Sequence, residues 1–315
     1  MTTSLNNHLI SPKAKSLSLT VGITTCFGDA SILNTVKSIR SSKRIRNFRF
    51  IIVSDRVKFN NAVKKEFKKY GIEHIENKNE ASQIEKQKQI LKIVKSDLLV
   101  LTQDDVLLDP NALAQVVLNF RKNNKLTMVS ILNKPTQATN LFEDILNIGT
   151  NIANKTAKNW KNGNNYLSVI GRFMVFRTDF IKHKFRLLSE VATSDAYYYF
   201  ENKRAGGKYK YLSDVYVEFK NPQNIKEHMR KSSRFQYSNM EMSHYFKNIN
   251  REYEVPYLAT AEAVIDQLIQ EPVKTVLYFG VFAYTRILKL KSAVVLNPIW
   301  EVDLSTKNIS VFTKK

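Results

Sequence analysis

Leu98-Leu99-Val100-Leu101-Thr102-Gln103-Asp104-Asp105 decides the fold. Four consecutive apolar residues read as a strand buried on both faces, the pattern of a parallel sheet covered by helices. The run ends in two adjacent carboxylates. Carboxylates at the end of a buried strand are costly unless something pairs with them. A divalent cation bridging to a diphosphate is one such partner, because hard cations prefer oxygen ligands. A capping cluster for the helix that Pro110 opens is the other.

Upstream, strands and helices alternate. Leu17 to Ile23 reads as a strand that meets Thr24-Thr25, and Asp29 is placed to cap a helix with Ile32, Leu33, Val36 and Ile39 on one face. Phe48 to Val53 reads as a strand ending at Ser54-Asp55. Val57 to Tyr70 reads as a basic helix, Ile72 to Ile75 as a weak strand and Ser82 to Val94 as a helix. Alternation of this kind predicts one mostly parallel, Rossmann-like sheet flanked by helices. Ligands of such sheets sit at the carboxyl ends of the strands. Thr24, Thr25, Asp55, Asp104 and Asp105 all fall there.

Downstream, Asn111 to Phe120 reads as a helix and Leu126 to Leu132 as a strand, with helix over Thr136 to Lys158 and strand over Val169 to Phe176. Asp195 follows Thr193-Ser194 at the start of an aromatic helix, Tyr197 to Phe200. A carboxylate among aromatic side chains is desolvated, which suits a general base. It reads equally as an N-cap. Tyr209 to Phe219 reads as a strand and Asn224 to Phe246 as a long basic helix. On that helix Arg230 and Arg234, four apart, share a face and suit phosphates. Lys86 and Lys88 lie on the helix before the apolar strand, where either suits a pyrophosphate and either also suits a solvated face.

Bulk composition sets limits. The chain has 315 residues, 43% hydrophobic and 11% aromatic, enough for a large core. Lys and Arg outnumber Asp and Glu by 49 to 28, a net charge of +21 that favours anionic partners without choosing among nucleic acid, lipid and phosphorylated small molecules. The single cysteine, Cys26, excludes an internal disulfide framework, fits a reducing compartment and reads as a buried structural thiol. The five histidines are too scattered for a zinc site, and nine glycines without a Walker loop or dinucleotide fingerprint exclude those phosphate cradles. Met1 to Ser16 does not read as a secretory signal, and no run approaches the ~20 apolar residues of a spanning helix.

In order, Val-Gly-Ile-Thr-Thr-Cys, Ile-Ile-Val-Ser-Asp, Lys-Gln-Lys-Gln-Ile-Leu, Leu-Leu-Val-Leu-Thr-Gln-Asp-Asp-Val, Ser-Asp-Ala-Tyr-Tyr-Tyr and Lys-Ser-Ser-Arg-Phe resemble the family 2 glycosyltransferases of GT-A fold, over roughly residues 17 to 240. The resemblance implies a flexible N-terminus (1–16), a GT-A domain (17–255) and a helical C-terminal extension (256–315). It implies transfer of a sugar, with inversion, from a nucleoside-diphosphate sugar, most often a UDP-sugar, to a hydroxyl of a glycan or lipid-linked acceptor. Thr24, Thr25, Asp55, Lys88 and Asp104 would hold the donor, Asp105 a Mn²⁺ or Mg²⁺ ion, Arg230 and Arg234 the acceptor or phosphate, and Asp195 would be the base. Gln103, Ser194, Lys231 and Phe235 depart from the family pattern, which argues against a processive polymerase and leaves a non-catalytic relative as an alternative.

The segment Ala259 to Lys291 reads as amphipathic. Phe279, Phe282, Tyr284 and Leu288 are placed to insert into a membrane, with Arg286, Lys289 and Lys291 at anionic headgroups. The expected location is therefore cytoplasmic, peripheral at the inner face of the membrane. A nucleic-acid-binding protein is the competing class, favoured by charge and disfavoured by the acidic strand ends. A nucleotidyltransferase is disfavoured because its glycine-rich loop after the first strand is missing.

Overall fold

The computed structural model describes residues 16–56, 58–289, 296–299, 301–307 and 309. The N-terminal segment up to residue 15, Val57 and Lys291 lie outside them, as does the side chain of Lys289.

The elements run β1 (Leu19–Thr25), α1 (Ile32–Arg40), β2 (Arg49–Ser54), α2 (Asn61–Lys69), β3 (Ile72–Glu76), α3 (Gln83–Ile93), β4 (Leu98–Gln103), β5 (Val106–Leu108), α4 (Ala112–Lys122) and β6 (Leu126–Pro135). They continue as α5 (Leu141–Asn159), β7 (Phe173–Arg177), α6 (Thr178–Lys184), α7 (Ser194–Arg204), β8 (Lys208–Phe219), α8 (Ile225–Tyr245), α9 (Asn250–Tyr253), α10 (Tyr257–Gln270), α11 (Pro272–Lys289) and α12 (Leu304–Lys307). One sheet of eight strands takes the order β3-β2-β1-β4-β7-β6-β8-β5. The first four strands in that order are mutually parallel, β7 is antiparallel to both its neighbours, and β5 is antiparallel to β8.

Both faces of the sheet are covered, as the apolar run at Leu98 predicts. Val21, Ile23, Phe50, Ile52 and Val100 face α1, α2 and α4 through Ile32, Val36, Val63, Val116 and Phe120. Ile51, Val53, Leu99, Leu101 and Phe176 face α3 and α7 through Ile84, Ile90, Tyr197 and Tyr198. Each fully buried aliphatic or aromatic side chain contributes about 1.5–3 kcal/mol of transfer free energy, so this double-sided packing dominates the stability of the sheet. Gly22 marks the closest approach: a Cβ there would lie 2.8 Å from Ile90 Cδ1, so α3 can press on β1 only where no side chain intervenes.

Several local expectations need correction. Helix α1 starts at Ile32 with Ser31 at the cap position and no capping side chain, so Asp29 does not cap it. The basic helix after β2 starts only after Asn60, whose side chain accepts from Val63 N. The chain also holds strand β5, just after β4, and helix α6, just after β7, both too short to show a period. The C-terminal segment is not one amphipathic helix. Glu271 leaves helical geometry (φ −141°, ψ 65°) ahead of Pro272, as residues before proline tend to, and the chain folds into the hairpin α10–α11.

That hairpin packs on α5 through Ile148, Ile152 and Ala263, with Val264 and Tyr278 beside them. Gly149 is what lets it dock, since a Cβ there would meet the Tyr278 ring at 2.1 Å. Residues 301–307 then return across the carboxyl ends of the strands, and Asn34 Nδ2 donates to Ile309 O at 2.8 Å. Among the described residues no helix is long and apolar enough to cross a membrane.

Candidate active site

Parallel register brings the carboxyl ends of β1, β2 and β4 level: Thr24 lies opposite Val53 and Gln103, and Thr25 opposite Ser54. The residues just beyond these ends therefore share one edge. Thr25 Oγ1 donates to Asp104 Oδ2. Thr35 Oγ1, from α1, donates to the Asp104 carbonyl at 2.9 Å and fixes the turn into β5.

Asp104 and Asp105 face a cavity of about 160 Å³, lined also by Thr24, Thr25, Lys86, Arg172, Asp195, Lys231 and Arg234. Their countercharge is Lys307 of α12, whose Nζ lies 2.6 Å from Asp104 Oδ1 and 3.2 Å from Asp105 Oδ2. Burial raises the Asp104 carboxyl above its ordinary range, Lys307 pulls against that, and Asp105 adds to it. For Asp105, burial is outweighed by Lys307 and then Arg172, so its carboxyl is held below the ordinary range. Burial opposes the Lys307 charge, but the two carboxylates outweigh it and raise its pKa. Asp105 Oδ1 is buried and has no hydrogen-bond partner among the described residues. An orphaned carboxylate oxygen beside a second carboxylate and a threonine hydroxyl is an oxygen donor set that fits a divalent cation. Among the described residues there is no group of three or more His, Cys, Asp or Glu side chains able to hold a metal, so any such ion would draw remaining ligands from elsewhere.

Asp195 starts α7 and lines this cavity and a second one of about 420 Å³. Ala196 N donates to Asp195 Oδ1 at 3.0 Å and Gly171 N to Oδ2 at 3.4 Å. Burial raises its carboxyl pKa; those backbone bonds and Arg172 act in the opposite direction. Neither Ser194 nor Asp195 caps α7; Thr193 holds the cap position and Ser194 Oγ turns to Gln83. The second cavity carries the aromatic walls Tyr166, Phe219, Phe235, Tyr278 and Phe282 with the polar groups His228, Lys231, Arg172 and Arg286. Burial, reinforced by Lys231, depresses His228 to about 4, so its imidazole is neutral at physiological pH. Burial and then Arg172 push the Lys231 ammonium well down.

The structure places the remaining sequence candidates differently. Asp55 does not line either cavity. Its carboxylate accepts from Lys86 Nζ and from Ala81 N, both at 2.8 Å, and so holds Lys86 at the cavity wall. Lys88 turns away and donates to Ser189 Oγ at 2.7 Å; two residues apart on a helix point to different faces, and the cation at the wall is Lys86. Arg230 is engaged by Asp303 and Glu301, each at 2.9 Å, and lines neither cavity, whereas Arg234 lines the first. Burial and then Asp104 raise the Cys26 thiol, which disfavours the thiolate and fits a structural role. Arg172, Lys231 and Lys307 were not among the site candidates. Lys231 stands on the basic helix that sequence singled out. Arg172 follows a loop, and Lys307 is 202 residues from Asp105, so no local pattern announces either.

The model of the glycosyltransferase like family 2 matches residues 18–238. Among solved structures, the mannosyltransferase PcManGT from Pyrobaculum calidifontis, in complex with GDP-Man and Mn²⁺, superposes with a TM-score of 0.53 at 11% identity, covering 91% of this chain and 79% of that one. S. aureus TarS 1-349 in complex with UDP-GlcNAc aligns with a TM-score of 0.48 at 13% identity over 68% of this chain and 65% of its own. At such identity the first likeness shows a shared GT-A fold. No curated protein sequence gives a significant match.

The Asp55–Lys86 pair is almost solvent-free, with side chains 0% and 6% exposed. Removing one partner of such a pair leaves a buried charge uncompensated. Asp55→Asn is expected to lose about 3–5 kcal/mol in urea unfolding. Asp55→Asn combined with Lys86→Met should recover a large part of that, and equal stability of single and double variants would show that the pair does not hold this wall.

Proposed function

The chain belongs to glycosyltransferase family 2, and from that premise we propose that it moves a sugar from a nucleoside-diphosphate sugar to an acceptor hydroxyl, with inversion and with Asp195 as base. The observation that carries this reading is the position of Asp195 on the wall shared by two cavities. One cavity suits the donor: it joins the Asp104–Asp105 pair to the cations Lys86 and Arg234. The other suits the acceptor.

On this reading Asp104 and Asp105 would hold a divalent ion, which supplies charge neutralisation for the departing diphosphate. Lys86 and Arg234 add fixed positive charge on the same wall. The acceptor hydroxyl approaches from the second cavity and gives its proton to an Asp195 carboxylate oxygen. Its oxygen forms the new bond to the anomeric carbon. The old bond to the diphosphate oxygen breaks, and the electron pair leaves with the nucleoside diphosphate. Arg172 stands beside both Asp105 and Asp195 and steadies the negative charge on each.

The walls of the second cavity suggest its ligand. Aromatic rings suit sugar faces or an isoprenoid-like chain, and Arg172, Lys231 and Arg286 suit an anionic group. Tyr278, Phe282 and Arg286 come from α11, whose outer face, with that of α10, exposes Leu258, Ile269, Val273, Val276 and Ile287 at 60% or more. Monomers rarely expose a contiguous apolar surface of this kind, and the surplus positive charge suits anionic headgroups. We read α10–α11 as the membrane-facing side and the acceptor as lipid-linked.

Four outcomes check this account. A thermal-shift panel of UDP, GDP, CDP and dTDP with Mn²⁺ should give a shift with one nucleotide that is lost in Asp105→Asn. No shift, beside salt-sensitive nucleic-acid binding, would overturn the function. Asp195→Asn should keep the nucleotide shift while turnover falls about 10²–10⁴-fold. Because the base must be ionised and burial raises its pKa, kcat/KM should fall on acidification through a value above the ~4 of a free carboxylate. Ile269→Glu with Val273→Glu should abolish cosedimentation with phosphatidylglycerol vesicles without changing the nucleotide shift; unchanged cosedimentation would remove the membrane reading.

A further inference from the structure

Residues 301–307 bring two carboxylates and an ammonium to the wall of the donor cavity. Lys307 sets its ammonium on Asp104 and Asp105 at 2.6 and 3.2 Å. A few residues earlier, Asp303 and Glu301 pair with Arg230 of α8 at 2.9 Å each, behind the wall, and their charges also act on Arg234, which lines the cavity. A cation on the acidic strand end and acidic groups on a basic helix is the charge order that a divalent ion with a diphosphate would present to the same walls. The segment thus resembles, in charge and position, the ligand that the donor cavity is read as binding.

Space supports the same view. With Val302, Asp303, Thr306 and Lys307 in its wall, the cavity measures about 160 Å³. Pockets for small-molecule ligands usually span about 300–1,000 Å³, so a nucleotide sugar needs the segment to withdraw. A divalent ion faces the same obstacle, since two cations on one carboxylate pair repel.

The segment is held by contacts that break without a large hydrophobic loss. Ser305 Oγ donates to Glu227, Gln223 N donates to Ser305 Oγ at 3.1 Å, and Thr306 Oγ1 reaches Asp105 Oδ2 at 3.4 Å. Of its described apolar side chains Leu304 is 60% exposed, while Ile309, just beyond it, is buried. The Lys307 pairs are buried, so the ammonium leaves only as another cation takes the two carboxylates, while the exposed Arg230–Glu301 pair and the hydrogen bonds contribute little each.

We propose that residues 301–307 form a displaceable strap that stands in for the donor, with the Lys307 ammonium keeping the place of the divalent ion on Asp104 and Asp105. The strap and the metal–donor complex then exclude one another. This inference rests on the donor-site reading above. It keeps two buried carboxylates compensated while the cavity holds no donor, and it makes donor capture an exchange rather than a simple addition.

The test uses the full chain, with Mn²⁺ alone as the first probe. Free Mn²⁺ is followed by its electron paramagnetic resonance signal against wild type, Lys307→Gln and Lys307→Arg. Lys307→Gln should bind Mn²⁺ about tenfold tighter, within the 5–150-fold range of ordinary site coupling, while Lys307→Arg should stay near wild type. Hydrogen exchange of 301–307 in wild type should speed up when Mn²⁺ and UDP or GDP are added. Equal or weaker Mn²⁺ binding by Lys307→Gln, or a strap that becomes more protected with nucleotide, would overturn the strap while nucleotide binding keeps the donor site. Absence of both Mn²⁺ and nucleotide binding in all three proteins would overturn the donor-site reading, and the strap with it.

Discussion

Two carboxylates at the end of a buried strand need a cation, and most of the site is arranged around that requirement. Asp104 and Asp105 cannot reach bulk water freely, because β4 is the central strand between β1 and β7 and is covered on both faces. Burying an uncompensated carboxylate costs several kcal/mol. Lys307 meets the need here from the far end of the chain. Arg172 assists from the loop before β7, and Thr25 from β1. The two acids respond oppositely, with Asp104 pushed up by burial and Asp105 held down by its neighbouring cations. Such a split is what a pair of close carboxylates does when one cation favours both but cannot serve both equally.

The same constraint joins the two cavities. Arg172 lines both, and its charge acts on Asp105 on one side and on Asp195 on the other. Helix α8 contributes Lys231 to both walls and Arg234 to the first, while Arg230, one turn before Arg234, holds the strap. Helix α8 therefore links the C-terminal segment and both cavities. Glu241, farther along α8, accepts from Ala192 N at 2.6 Å and Thr193 N at 2.9 Å, and so fixes the loop that delivers Asp195. The proposed transfer needs donor carbon, acceptor hydroxyl and base in register, and a shared helix with shared cations would provide that register without any single decisive motif.

Much of this was legible in the sequence because it is local. Leu98 to Asp105 announced a buried strand with acids at its end, and the alternation of elements fixed the parallel half of the sheet. Asp195 was legible as a carboxylate at the head of an aromatic helix. What was not legible depends on residues distant in sequence. Asp55 by itself reads as a turn residue, and the donor role comes from the family resemblance. Its partner Lys86 lies on α3, 31 residues on, and only the folded distance shows that the two satisfy each other. Arg230 and Arg234 share a face, yet the strap claims one and the cavity the other, which no spacing rule distinguishes. Lys307 sits in a four-residue helix with no periodic signal at all. The apolar period of residues 259 to 291 reads as amphipathic, and within the described residues the break at Glu271-Pro272 makes a hairpin of two helices.

The central claim is that the Asp104–Asp105 strand end receives a divalent ion together with a nucleoside diphosphate. The most direct measurement is ³¹P relaxation of UDP and GDP in the presence of the protein and substoichiometric Mn²⁺. The account predicts strong broadening of the β-phosphorus signal of one nucleotide with wild type, beyond that of the free Mn²⁺–nucleotide mixture, and its loss in Asp105→Asn. Broadening identical in the two proteins, or equal to that without protein, would contradict it.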